Sequence, residues 1–165
     1  MVTISYTPIG IIHTPFVKQS DTPIQGVFNP DCLGEVEVFP PYLDGIKDIA
    51  GFSHIFLVYH FHLAEGFSLV TKPFLDDEGK GIFSIRHFNR PNPIGISVVR
   101  LDQVKNNILT IGEVDIVDCT PLLDIKPYIP DFDIRSDVRE GWYEHARNKT
   151  EYERNRGISR RPGDF

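Results

Sequence analysis

Pro91 and Pro93 flank Asn92 in the run Gly81-Ile-Phe-Ser-Ile-Arg-His-Phe-Asn-Arg-Pro-Asn-Pro-Ile-Gly-Ile-Ser97. Each ring holds its own φ at about −65° and keeps the preceding residue extended. The segment is therefore a stiff connection. Gly81–Ile85 alternates small or polar with large apolar residues and reads as a strand, and Ile96 opens another that runs to Val104. Between them Arg86, His87, Asn89, Arg90 and Asn92 crowd hydrogen-bonding side chains together, and Gly95 permits a turn or a close approach. Groups held in place before a ligand arrives suit a ligand site. A rigid crossover with its arginines in solvent satisfies the same pattern.

The rest of the chain reads as short strands and turns, as thirteen prolines and thirteen glycines spread along 165 residues require. Tyr6–His13 is a first strand, and Thr14–Pro30 is a loop with Gln25-Gly26 at its middle. Gly34–Phe39 alternates strictly, and Pro40–Ala50 reads as a short helix starting at two prolines. Phe52–His62 is apolar on both faces of its alternation and predicts a central strand covered on both sides. Phe67–Gly79 is a linker with the acidic run Asp76-Asp77-Glu78. Ile96–Val104 and Ile108–Val117 form a hairpin through Asn106-Asn107, because Asn tolerates positive φ.

His54, His60 and His62 fall on one face of the apolar strand. Side chains two apart on a strand stand about 7 Å from each other, too far to share a metal without bending. No metal site is expected; His54 and His60 read as polar-tipped core residues, and His62, at the strand end, as the one facing a site. Cys32 and Cys119 form neither a metal spacing nor a disulfide framework.

In Asp118-Cys-Thr-Pro-Leu-Leu-Asp-Ile-Lys-Pro-Tyr128, Asp124 and Lys126 are two apart and point the same way on an extended chain. Both an ion pair and a site contribution fit. Ser136–Arg156 is rich in helix formers, with Ser136 as N-cap, and leads into a basic tail. Residues 145–165 carry six arginines or lysines against three carboxylates, in a chain of formal charge −6. That tail reads either as a cationic arm for nucleic acid or as a solvated terminus.

No apolar run approaches the roughly 18 residues of a membrane span, and no basic, then apolar, leader opens the chain. A soluble, cytoplasmic protein is expected. The Gly-x-Gly-x-x-Gly strand-to-helix unit is absent, as are Gly-x-Ser-x-Gly and His-Glu-x-x-His, so a nucleotide-like cofactor would bind by other means.

Residues 9–16 (IGIIHTPF), 50–62 (AGFSHIFLVYHFH), 81–97 (GIFSIRHFNRPNPIGIS) and 118–132 (DCTPLLDIKPYIPDF) resemble the TsaA/TrmO-like family. That resemblance covers about residues 5–135. It implies a compact, mainly β, single-sheeted β-barrel with short helices and a C-terminal helical tail. The implied division is a barrel domain over 1–135 and a helix with basic tail over 136–165. The implied activity is S-adenosyl-L-methionine-dependent methylation of N6-threonylcarbamoyladenosine beside the tRNA anticodon. The implied assembly is a homodimer with the cofactor near the subunit boundary.

By similarity, Gln25, Gly26, Val27, His62, Leu63, Arg86, Asp118, Cys119, Thr120 and Pro121 line the cofactor slot. Arg90, Asn92 and Lys126 are then available for the threonyl carboxylate or a phosphate, and Asp124, Tyr128 or a water between them for the acceptor proton. Four positions depart from the family pattern. Ile24 stands where bacterial members have arginine, Ile85-Arg86-His87 where they have Thr-Arg-Ser, and Cys119 where glycine is usual. Two other readings stay open: a methyltransferase acting on a small metabolite, and a barrel that binds a nucleotide-like ligand without turnover.

Overall fold

The computed structural model describes residues 2–146. Its strands are β1 (Gly10–His13), β2 (Leu33–Val38), β3 (His54–His60), β4 (Val70–Thr71), β5 (Lys80–Gly81), β6 (Ile94–Lys105), β7 (Ile108–Gly112) and β8 (Thr120–Pro127). Among the described residues, six of them close into a barrel in the order β1-β2-β7-β6-β3-β8, every neighbouring pair antiparallel. β4 and β5 make a separate two-stranded ribbon. Among the described residues, helical structure is limited to 3₁₀ turns, the four-residue α1 (Pro130–Asp133) and a turn of helix at residues 143–146. The expected mainly β barrel is what the chain forms.

Closure follows from period-two burial. Ile12, Val36, Val38, Ile55, Leu57, Val99, Leu109, Ile111 and Leu122 point inward and are fully or almost fully buried. A barrel has no free edges, which satisfies the backbone of a chain this short in strands. β6 and β7 turn through Asn106 at φ 56° and Asn107, as the Asn-Asn pair predicts.

Four expectations need correction. β3 is buried on one face only: Ile55, Leu57 and Tyr59 face the core, whereas His54, Phe56, Val58 and His60 lie half-buried on the outside. His54 and His60 are thus outer-face residues, not core ones. Gly81–Ile85 is not a strand. Only Lys80–Gly81 pairs, and Ile82–Ser84 is a 3₁₀ turn that buries Ile82 and Ile85, three apart, and leaves Phe83 77% exposed. Pro40–Ala50 forms two exposed 3₁₀ pieces, Pro40–Ile46 and Ile49–Gly51, separated where Asp48 takes φ 66°. Residues 136–142 are not helical, so Ser136 is no N-cap; a turn at Gly141 (φ 59°) precedes helix at 143–146. The remainder of the expected helix and the basic tail lie outside the described residues.

The outer face has a defined register. Asp124 pairs with Val58, which pairs with Ile96; Lys126 pairs with Phe56, which pairs with Val98. These two rows across β8, β3 and β6 carry exposed Ile96 and Val98, and Ile94, paired with His60 in the next row, is exposed beside them.

Candidate active site

Two close approaches fix the loops beside the barrel. A Cβ at Gly26 would overlap the carbonyl oxygen of Glu113, so only glycine lets the Gln25–Phe28 turn lie against the end of β7. A Cβ at Gly95 would overlap the Tyr59 ring. Tyr59 Oη sits 3.0 Å from Ser97 Oγ, which in turn donates to Asp115 Oδ1 at 2.7 Å. With the serine proton committed to Asp115, the tyrosine hydroxyl is the donor of the first bond.

Above these loops lies a cleft of about 660 Å³, bounded by residues 24–28, 72–75, 83–88 and 140–143. Its size is that of a small-ligand site. Buried Ile82 and Ile85 anchor the 82–88 segment from below, which leaves Arg86 exposed at the cleft. Arg86 Nη1 donates to Gln25 Oε1 at 2.8 Å, and Gln25 Nε2 donates to the Ile24 carbonyl at 2.7 Å. Gln25, Val27 and Arg86, all expected at the cofactor slot, therefore share one cavity. Arg90 does not reach it. Its Nη1 donates to the carbonyls of Ile85 (3.1 Å) and His87 (3.4 Å) and braces the loop from within. Asn89 Oδ1 accepts from the Glu65 amide at 3.1 Å, and its own N–H donates to His87 Nδ1 at 3.1 Å. The rigidity expected of the Arg-Pro-Asn-Pro run has this hydrogen-bonded basis as well as its proline rings. Asn92 is exposed.

A second, narrow recess is lined by His62, Leu63 and Thr120 together with Gln19, Tyr59 and Asp115–Val117. It closes to about 10 Å³, room for about one water. Thr120 Oγ1 donates to the Val117 carbonyl at 2.6 Å, so toward His62 Nδ1, 3.3 Å away, it can only accept. His62 is held neutral by burial and then by neighbouring His60, against a smaller opposing pull from Asp118.

Asp118 and Cys119 occupy the tight turn that enters β8. Asp118 Oδ1 accepts the Thr14 amide at 3.0 Å, and this bond, ahead of the Cys119 thiol and amide, lowers the carboxyl below its ordinary value. The same carboxylate pushes the Cys119 thiol up, so Cys119 stays protonated and is a weak nucleophile. Cys119 has φ 60°, the left-handed region that glycine favours. His13, Asp118 and Cys119 bring their ligating atoms within 4.8 Å of one another, whereas His54, His60 and His62 form no such group among the described residues.

Asp124, Lys126 and Tyr128 stand apart from both cavities. Asp124 Oδ2 lies 2.7 Å from Lys126 Nζ on the outer face of β8, and Asp124 Oδ1 accepts the Ile125 amide at 2.9 Å. Tyr128 packs on Phe56 and His54, with ring centroids 5.6 and 6.3 Å away. The residues expected at one site thus fall into three places: the cleft, the Asp118 turn with the His62 recess, and the outer face. Sequence reasoning missed Trp142, whose Nε1 donates to the Ser84 carbonyl at 2.8 Å and which lines the cleft. Its place as a cleft wall has no local signal in the sequence. His13 and Thr14 were also missed, although both lie in the IGIIHTPF run.

Residues 11–134 match the family described as the tRNA-methyltransferase O N-terminal domain. A probable S-adenosyl-L-methionine-binding protein of Pyrococcus abyssi is 54% identical, over 93% of this chain and 84% of that protein. The Escherichia coli tRNA (adenine(37)-N6)-methyltransferase is 34% identical over 79% of this chain and 60% of its own length. The crystal structure of TrmO from Pseudomonas aeruginosa superposes with a TM-score of 0.73 at 36% identity, covering 85% of this chain and 62% of that one. The chain thus spans less than two thirds of the solved TrmO structure.

Proposed function

Because this chain belongs to the family of the tRNA-methyltransferase O N-terminal domain, we propose that it is an S-adenosylmethionine-dependent tRNA methyltransferase. Its acceptor is N6 of threonylcarbamoyladenosine at position 37. The observation that carries this reading is the Arg86–Gln25 pair, formed by two family-matched loops at the front of an aromatic-walled cleft.

The side chains present fit the cofactor by type. An exposed guanidinium at Arg86 suits a methionyl carboxylate, and the rings of Phe28, Phe74 and Phe88 in the cleft lining suit an adenine ring. Asp118, held ionised by the Thr14 amide, suits an ammonium or a ribose diol. When bound, S-adenosylmethionine supplies an electrophilic methyl group on a sulfonium. Arg86 and Gln25 would orient it and the cleft walls would hold the acceptor in line, and such positioning supplies most of the acceleration in a displacement of this kind. Asp124, directly or through a water or the Tyr128 hydroxyl that passes its own proton on, takes the acceptor proton as it is lost.

The position of Asp124 and Tyr128 on the outer face makes a second copy of the chain part of this proposal. They share that face with exposed Ile94, Ile96 and Val98, and Ile96 is 59% exposed. A homodimer that buries this face puts both residues at the subunit boundary, with Lys126 beside them for an acidic group of the substrate. Among the described residues no helix is long and apolar enough to cross a membrane, and we place the reaction in the cytoplasm with its acceptor.

The formal charge of −6 supports one other reading, a small-metabolite acceptor at the same cleft. Nucleoside mass spectrometry of tRNA from a strain with and without the gene separates the two. Loss of the methyl group from threonylcarbamoyladenosine is the expected result, and an unchanged nucleoside profile would favour the metabolite.

A further inference from the structure

We propose that Trp142 and Tyr143 form the wall of the cleft against which the acceptor base of the RNA stacks. This rests on the tRNA reading above. The wall lies beyond the family match, which ends at residue 134, yet it is built into the cavity. The chain turns at Gly141 (φ 59°), the Trp142 Nε1 proton is committed to the Ser84 carbonyl at 2.8 Å, and Ala146 is buried in the turn of helix that follows. With its one donor used, the indole has only its π system to offer the cleft. Phe83 lines the same cavity and is 77% exposed, which adds a second open aromatic ring to it.

Flat apolar faces with a cation close by select a π-bearing group attached to anions. Arg86, given to the cofactor carboxylate, is one cation of the cleft. Lys72, exposed in the lining of the same cleft, supplies a second. Aromatic platforms with cations beside them are the chemistry of unpaired nucleic-acid bases, read by stacking and held by phosphate contacts. A base at Trp142 and a cofactor at Arg86 and Gln25 would share one cleft, as methyl transfer between them requires.

Trp142 is the one tryptophan in the sequence, so its emission reports this wall alone. The full chain is titrated with anticodon stem–loop RNA carrying the modified adenosine, with the same RNA abasic at that position, and with S-adenosylhomocysteine. Saturable quenching by the base-bearing RNA only is expected, with the abasic RNA still binding by anisotropy. Trp142→Ala should raise KM for tRNA roughly 5- to 150-fold, the range that base–aromatic stacking supports. Trp142→Phe should recover most of it, and neither should change cofactor affinity. Equal quenching by the abasic RNA or by S-adenosylhomocysteine alone would overturn the inference, as would an unchanged KM in Trp142→Ala. If Trp142→Ala does not fold, Tyr143→Ala and the emission of the unaltered chain decide the question. Failure of the unaltered chain to methylate tRNA at all would instead overturn the reading beneath, and the stacking wall with it.

Discussion

Arg86 Nη1 donates to Gln25 Oε1 at 2.8 Å, joining two loops 61 residues apart in the chain. Both side chains sit at the cleft, and Arg86 is exposed. Removing an exposed side chain of this kind changes stability by about 0.5 kcal/mol or less. A hydrogen bond to a charged group is worth about 1.5–3 kcal/mol, or roughly 10- to 150-fold in affinity. Arg86→Ala should therefore weaken S-adenosylhomocysteine binding by that factor with an almost unchanged melting temperature. Calorimetry showing equal affinity would remove Arg86 from the cofactor site.

Stability should fall on acidification in two windows. His62 has a lowered folded pKa, so its contribution is complete above its unfolded value of about 6.5 and declines as pH falls below it. The Asp118 carboxyl is also lowered, and its contribution is complete above about pH 3.9 and lost as pH falls through the folded value. Urea melts across pH should show the lower step flattened in Asp118→Asn and the upper step flattened in His62→Gln. Parallel curves for all three proteins would contradict both assignments.

Cys119 occupies a left-handed position at φ 60°. A side chain there costs about 1–2 kcal/mol, of which glycine's extra unfolded-state freedom returns about 0.5–1 kcal/mol. Cys119→Gly should raise stability by up to about 1 kcal/mol, read as a higher urea midpoint, with cofactor affinity retained. A lower midpoint would mean that the thiol's contact with Asp118, 3.4 Å away, outweighs the strain.

The barrel was legible because its signals are local. Alternation in Gly34–Phe39, the Asn106-Asn107 turn and the apolar run around His54–His60 each state a strand or its end within a few residues. Period-two alternation misled at Gly81–Ile85, because Ile82 and Ile85 are buried by a turn of three residues, a spacing that alternation cannot show. The site was less legible for a different reason. Its groups meet across long separations, such as Thr14 with Asp118 and Trp142 with Ser84, and these pairings exist only once the barrel is closed. The motif at residues 81–97 named the right loop but not the division of labour within it, where Arg86 faces the cleft and Arg90 holds the backbone.

Ile96 tests the outer face as a contact between copies. It stands 59% exposed beside Val98, in the row that leads through Val58 to Asp124. Light scattering of the unaltered chain should give twice the 18.8 kDa chain mass, and Ile96→Glu should shift the mass toward one copy. Methyl transfer should fall with it, because Asp124 and Tyr128 would leave the boundary. A monomeric unaltered chain with activity intact would contradict the dimer and the roles given to those two residues.

The central claim is methyl transfer to a modified adenosine in tRNA. The direct measurement incubates the full chain with S-adenosylmethionine labelled in its methyl group and tRNA that carries N6-threonylcarbamoyladenosine at position 37, followed by nucleoside mass spectrometry. One labelled methyl is expected on that nucleoside, and none on tRNA that lacks the threonylcarbamoyl group. Label found on unmodified adenosine, or on no nucleoside while the cofactor still binds, would contradict it.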